Sequence, residues 1–214
     1  MPSVSVVLTT YERDQQLWKT LASIHGADEI IVVDDANDPG TEKLCRYLAT
    51  YLPRLNRPDV PFSSPSVPIN IGLKAATGDI VILQNAECKH DTNVVEQFRK
   101  RVKERTAVFA KVRSLHPDGS FESWYTAPVL AERPYFFCGA MFRKHFMDLG
   151  GMDEDFTGAG FDDDDFALRM QEAGIRREFA GDILVTHQWH ERPVVDSTPM
   201  LEVYTKKHGR KVWM

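Results

Sequence analysis

The chain has 214 residues, 43% hydrophobic and 27% charged, with a formal net charge of -5, a balance that suits one globular domain with its own core. No basic stripe runs along it, which argues against nucleic acid as a partner. Cys45, Cys88 and Cys138 are widely spaced and odd in number, so they do not form a disulfide framework, and MPSVSVVLTTYERD lacks the basic start and long apolar run of a signal peptide. The expectation is a cytoplasmic protein without a membrane span, or a catalytic piece of a longer chain.

The first half alternates strand and helix signals. SVSVVLTT is a β-branched run ending in polar residues, and Leu17, Leu21 and Ile24 then recur at helical spacing, predicting an amphipathic helix over 14–25. EIIVVDD is a second buried strand ending in two aspartates. Thr41 can cap a helix carrying Leu44, Leu48 and Leu52 on one face. Residues 53–68 hold five prolines and read as loop. NIGLKAATG is a short helix closed by Gly78, DIVILQ is a third buried strand, and Asp91 caps a long helix through Arg105. A β-α-β-α order of this kind predicts a mainly parallel sheet flanked by helices.

The second half is more mixed. TAVFAKVRSL, the HPDG turn and SFESWY predict an antiparallel strand pair, and FFCGAMFRK is a strand leading into a short helix that ends at Gly150. The run Asp162 to Asp165 opens a helix that stops before Gly174, with Phe166 and Met170 on its buried face. DILVTHQWH is a last strand delivering His187 and His190. In the tail, Pro199 suits a first helical turn and Gly209 a stop.

Polar clusters fall at the C-terminal ends of these strands, the edge where open α/β sheets bind ligands. They are Thr9, Thr10, Tyr11 and Glu12; Asp34 and Asp35; Asn85 and Glu87; and His187 with His190. Each alone has a plainer reading, because polar residues must follow any buried strand; their coincidence on one edge is the stronger signal. Glu87 offers a carboxylate for a hard divalent cation, and a neutral imidazole suits Mn²⁺ or Zn²⁺. In an extended segment residues three apart face opposite sides, so one histidine is expected at the metal, and His187 is that one. The aspartates favour a helix N-terminus, yet Asp163 and Asp164 point about 100° and 200° around from Asp162, so the four do not share one job.

Taken together, SVVLTTYERD, VVDDAND, NIGLKAATGDIVILQNAE and GGMDEDFTGAGFDDDDFALRM resemble, in the right order, the GT-A fold glycosyltransferases, in particular the inverting family-2 enzymes and the β-1,4-galactosyltransferases. The resemblance runs from SVVLTTYERD through VTHQWH. It implies a single glycosyltransferase domain over 1–214, with a nucleotide-binding half at 1–105 and an acceptor and catalytic half at 106–214. It also implies a UDP-sugar donor, a saccharide or glycoconjugate acceptor, and Mn²⁺ or Mg²⁺.

By the same resemblance Thr9, Tyr11 and Asp35 hold the uracil or ribose, with Glu12, Asp34 and Asn70 counted beside them. Asn85-Ala86-Glu87 stands where the family has Asp-x-Asp, making Glu87 the metal ligand and Asn85 the ribose contact. His187 completes the metal site, Asp163 takes the position of the catalytic base, and Asp162 binds a substrate hydroxyl; Asp164 and Asp165 are structural. The chain departs from the pattern by losing one carboxylate of Asp-x-Asp, and by Thr157 and Ala159 where galactosyltransferases carry tryptophans. A sugar nucleotidyltransferase and a non-catalytic nucleotide-sugar-binding module are the rival readings. The first would place a glycine-rich basic loop after the first strand, where this chain has TTYERD.

Overall fold

The computed structural model describes residues 1–60, 63–123, 134–191 and 194–209. Its first half contains β1 (Val4–Thr10), α1 (Asp14–Leu21), β2 (Glu29–Asp34), α2 (Pro39–Cys45), β3 (Thr50–Pro53), α3 (Ser66–Ala75), β4 (Ile80–Asn85), β5 (Cys88–His90) and α4 (Val94–Arg101). The second half adds β6 (Thr106–Leu115), β7 (Phe121–Ser123), β8 (Cys138–Phe142), α5 (Arg143–Asp148), α6 (Asp162–Glu172), β9 (Arg176–His187) and α7 (Thr198–His208).

One nine-stranded sheet organises the chain in the order β3-β2-β1-β4-β8-β6-β9-β5, with β7 paired to β6. The pairs β3-β2, β2-β1 and β1-β4 are parallel, whereas β8 enters antiparallel to both β4 and β6. The continuous apolar runs follow from burial on both faces. Val4, Val6 and Leu8 of β1 join Leu17, Leu21 and Phe98 in one core, while Val7 joins Ile31, Leu73 and Phe166 on the other face. At 25 cal/mol per Å² each fully buried Leu or Phe contributes about 2 kcal/mol, so both layers are needed. No helix among the described residues is long and apolar enough to cross a membrane.

The sheet's registers build the ligand edge. Thr9 lies opposite Asn85 and Thr10 opposite Asp34, so β1, β2 and β4 end together. On the far side β9 runs antiparallel to β5, pairing His187 with Cys88, which brings the last residue of β9 beside Glu87. The Gln188 N–H donates to the Glu87 carbonyl at 3.0 Å and holds that junction.

Several elements differ from their sequence expectation. Helix α1 stops at Leu21, although Ile24 remains in the core. Asp38, and not Thr41, caps α2: its carboxylate accepts the Thr41 N–H at 2.8 Å, and the Thr41 hydroxyl donates to Asp14. Leu52, four residues beyond Leu48, is taken by edge strand β3 pairing with β2. Asp91 does not cap a long helix, because Cys88–His90 forms β5 and α4 runs only from Val94 to Arg101. The Asp91 carboxylate instead accepts from Thr186 of β9. Arg99 pairs with Asp28 and Glu96, and Arg101 with Glu178 and Asp182. Trp124 and Tyr125 of the expected second hairpin strand lie outside the described residues.

Candidate active site

A cleft of about 660 Å³ opens at this edge, lined by Thr9, Tyr11, Glu12, Asp35, Asn85, Glu87 and His187, seven of the residues singled out from the sequence. Thr10 also lines it, and the buried Thr10 Oγ1 has no hydrogen-bond partner among the described residues. Glu12 turns the chain out of β1 with a left-handed φ of 52°.

At one end Asp35, only 6% exposed, is fixed by two arginines from the proline-rich loop. Arg54 Nη1 donates to one of its oxygens at 2.7 Å and Arg57 Nε to the other at 3.1 Å. The Arg57 guanidinium also lies 4.4 Å from the centroid of the Tyr11 ring, in cation–π geometry. Each Asp35 oxygen keeps a lone pair, so this corner offers an acceptor, guanidinium donors and an aromatic face together. These suit a planar base with both donors and acceptors on its edge. Arg54 and Arg57 were invisible to sequence reasoning because they sit in a loop read only as a connection.

Asp34 behaves differently from its neighbour. It is fully buried and accepts from the Ala36 N–H (2.9 Å), the Asp38 N–H (2.6 Å) and the Tyr51 hydroxyl (3.1 Å), tying β2 to α2 and β3. Burial raises its pKa despite these donors. It faces the turn and not the cleft, so its expected place among the ligand contacts is corrected to a structural one. Asp34→Asn presents an NH₂ to one of two backbone N–H groups that can only donate and is expected to lower unfolding stability by about 2 kcal/mol. A urea melt checks this.

Two further residues move out of the ligand-binding set. Asn70 clamps a loop elsewhere: its amide donates to the Met152 carbonyl and Glu154, both at 2.8 Å, and accepts the Met152 N–H at 2.8 Å. Ala86 is 0% exposed and part of the core, with its N–H given to the Thr9 carbonyl at 3.2 Å. The resemblance had counted both among the nucleotide contacts; neither lines the cleft.

At the other end of the cleft, ligand atoms of Glu87, His187 and His190 all lie within 4.8 Å of one another. The extended-chain argument for a single histidine fails because β9 ends at His187 and His190 lies beyond the strand. The Gln188 amide is held by the Gln16 carbonyl (3.0 Å), Thr20 Oγ1 (3.1 Å) and the Glu87 carbonyl (3.1 Å), and this returns His190 to the same side. His190 Nδ1 is 2.7 Å from the Glu191 carbonyl, an atom that can only accept, so Nδ1 carries the proton. In the neutral ring Nε2 is then a lone pair, 3.2 Å from Glu87 Oε1. Two acceptors at that distance need a proton or a cation between them. A carboxylate, two imidazoles and a hydrogen bond that sets the tautomer form a donor set that fits Mn²⁺ better than oxygen-seeking Mg²⁺.

The four aspartates of the acidic run find different partners. Asp165, 1% exposed, pairs with Arg169 at 2.7 Å and with His208 Nε2 at 2.7 Å, so it anchors α6 to α7. Asp162 is buried, with the Ser64 hydroxyl at 3.5 Å, and Asp163 accepts the Phe136 N–H at 3.4 Å. Neither lines the cleft, but Gly160, two residues before Asp162, and Phe137, next to Phe136, do. Burial first, then backbone and neighbouring charges, set the Asp162 pKa at about 6; burial and the Asp162 charge raise that of Asp163 well above the ordinary range. The helix is aimed by Phe161, whose φ of 66° is costly for a bulky residue, with its ring 5.7 Å from that of Tyr204 on α7.

The family model described as "Glycosyl transferase family 2" matches residues 5–174. Over 48 residues, 22% of this chain and 12% of its relative, it is 42% identical to the protein described as "Uncharacterized glycosyltransferase YfnE" of Bacillus subtilis (strain 168). Mannosyltransferase PcManGT from Pyrobaculum calidifontis, solved with GDP-Man and Mn²⁺, superposes with a TM-score of 0.66 at 21% identity, covering 89% of this chain and 58% of that one. GalNAc-T7, solved with UDP, GalNAc and Mn²⁺, superposes with a TM-score of 0.73 at 18% identity, covering 96% of this chain and 48% of that one. At these identities the structures speak for the GT-A fold, and this chain spans about half the length of each (58% and 48%).

Proposed function

Because this chain belongs to glycosyl transferase family 2 and is a glycosyltransferase, we propose that it is an inverting, metal-dependent hexosyltransferase that moves a sugar from a UDP-sugar to an acceptor hydroxyl. The observation that carries this reading is the convergence of Glu87, His187 and His190 at one end of a cleft whose other end holds Asp35, Arg57 and Tyr11. That spacing suits a nucleoside diphosphate, its base at the Tyr11 corner and its diphosphate toward Glu87. The 1–214 chain then works as one glycosyltransferase domain, residues 1–105 gripping the nucleotide and 106–214 supplying the acidic helix.

Glu87, His187 and His190 would hold Mn²⁺, which when bound neutralises the diphosphate and eases its departure. Asp35 accepts from the base, while Tyr11 packs against its ring. Asp163 takes the proton from the acceptor hydroxyl as its oxygen attacks the anomeric carbon on the face opposite the diphosphate. The new C–O bond forms as the bond to the diphosphate breaks, so configuration inverts in one displacement. A carboxylate with a raised pKa is a better proton acceptor than an ordinary aspartate, and the Asp162–Asp163 pair supplies that rise. Asp162 orients a substrate hydroxyl from its place beside Ser64. The acceptor is a saccharide or glycoconjugate.

A panel of UDP-, GDP- and dTDP-sugars with Mn²⁺, read by thermal shift, tests the donor. A ligand at about 100 times its Kd stabilises by about 2.7 kcal/mol, so the matching nucleotide raises Tm by several degrees. UDP and its sugars are expected to give the shift, and EDTA to remove it; a shift with GDP alone would overturn the uridine assignment. A non-catalytic nucleotide-sugar-binding module draws on one observation, that neither Asp162 nor Asp163 lines the cleft. Tight UDP binding without transfer or hydrolysis on any acceptor would favour it.

A further inference from the structure

Arg13 follows directly on the Glu12 turn and lines the metal end of the cleft. Its Nη1 donates to the Glu12 carbonyl at 3.0 Å and its Nη2 to the Glu191 carbonyl at 3.3 Å. Its Nε is buried without a hydrogen-bond partner and sits 3.5 Å from Glu87 Oε1, the same oxygen that His190 Nε2 approaches at 3.2 Å. Arg57, the other arginine that lines the cleft among the described residues, is already engaged with Asp35 and with two carbonyls. Arg13 therefore holds the charge at the diphosphate end.

Resting on the nucleotide-sugar reading above, we infer that Arg13 changes partners: it neutralises Glu87 in the empty cleft and moves to the donor's β-phosphate when the nucleotide binds, which makes metal and diphosphate binding mutually dependent. The charges of the cluster require this. Glu87 carries one negative charge and Arg13, 3.5 Å away, one positive. A divalent cation entering alone brings two positive charges beside a guanidinium in a half-buried place, where Coulomb repulsion is poorly screened. A nucleoside diphosphate arriving with it supplies the balancing negative charge and gives the freed Arg13 N–H groups a better acceptor. During transfer the electron pair of the breaking bond stays on the β-phosphate oxygen, and Arg13 donates to that growing charge while the acceptor's proton goes to Asp163.

Titration calorimetry on the intact chain tests this with Mn²⁺ alone, and with UDP, UMP and uridine in saturating Mn²⁺. Arg13→Gln is expected to bind Mn²⁺ alone about fivefold more tightly, since a repelling charge is gone. The same variant is expected to bind UDP about 30-fold more weakly, with uridine unchanged and UMP between them, because a charge-assisted contact to phosphate is lost. Arg13→Lys, which keeps the charge, restores most of the UDP affinity and the weak binding of free Mn²⁺. If Mn²⁺ and all three nucleoside compounds weaken together in Arg13→Gln, Arg13 is only a strut for the Glu12 turn and the inference falls. Unchanged affinities throughout overturn it as well. If the wild type binds no nucleoside diphosphate at all, the nucleotide-sugar reading itself fails and takes the inference with it.

Discussion

Asp163→Asn should lower turnover about 10²- to 10⁴-fold, the range for a lost general base, and at the same time make the folded protein more stable at alkaline pH. The two effects have one origin. Asp162 and Asp163 are carboxyls in one buried corner, and ionising both there is costly because burial and mutual repulsion oppose it. Both hold protons more tightly folded than unfolded. Their contribution to stability is therefore greatest at low pH and is lost as pH climbs from the ordinary 3.8 through about 6 for Asp162 and through the raised pKa of Asp163. Removing one charge relieves that cost at pH 8 by about 1–2 kcal/mol, or about 4 °C in Tm.

The gain should shrink as pH falls through the raised pKa of Asp163, where the wild type regains that proton. The rate has the opposite dependence: transfer needs an ionised base, so wild-type kcat/KM rises with pH through the upper value of the coupled pair, and the residual activity of Asp163→Asn lacks that limb. Melting curves and pH–rate profiles on the same preparations measure both. Turnover within threefold of wild type would remove Asp163 from the mechanism, and the stability gain would then mark a purely electrostatic defect.

Glu87→Gln has the second large effect. Glu87 is the one carboxylate in the three-residue donor set, so its loss leaves two imidazoles and no negative charge to attract a cation. Mn²⁺-dependent UDP binding is expected to weaken at least about 100-fold, and transfer to fall with it. Arg13 and His190 lose their shared partner in the same step, so the nucleotide's own contacts at Asp35 serve as the internal control. Uridine binding should remain at the wild-type level. A Mn²⁺-dependent thermal shift with UDP that persists in Glu87→Gln would mean the cation is held elsewhere.

The acidic run shows how far a linear reading reaches. That GAGFDDDDFALRM opens a helix, and that its four carboxylates part company around the axis, follows from helical geometry and from the stabilisation of negative charge at helix N-termini. Which aspartate does what depends on partners distant in sequence. Asp162 meets Ser64, 98 residues away; Asp163 meets Phe136, 27 away; Asp165 meets His208, 43 away. Asp34 and Asp35 make the same point more sharply. Adjacent and identical, they emerge from one strand, and alternation of direction sends one into a turn and the other to two arginines.

The strands, their buried character, the polar edge on which they end and the family pattern were all legible because they depend on local order: apolar periodicity, turn residues and the spacing of motifs. Glu87 and His187 were legible for the same reason, as polar residues at strand ends. Tertiary structure decided the rest. It closed the proline-rich loop so that Arg54 and Arg57 reach Asp35, anchored Gln188 on the Glu87 carbonyl with His190 beside Glu87, and used Asn70 as a loop clamp. Each of these is a contact between side chains far apart along the chain, selected by packing and by the need to satisfy buried polar groups. Periodicity carries no record of such pairings.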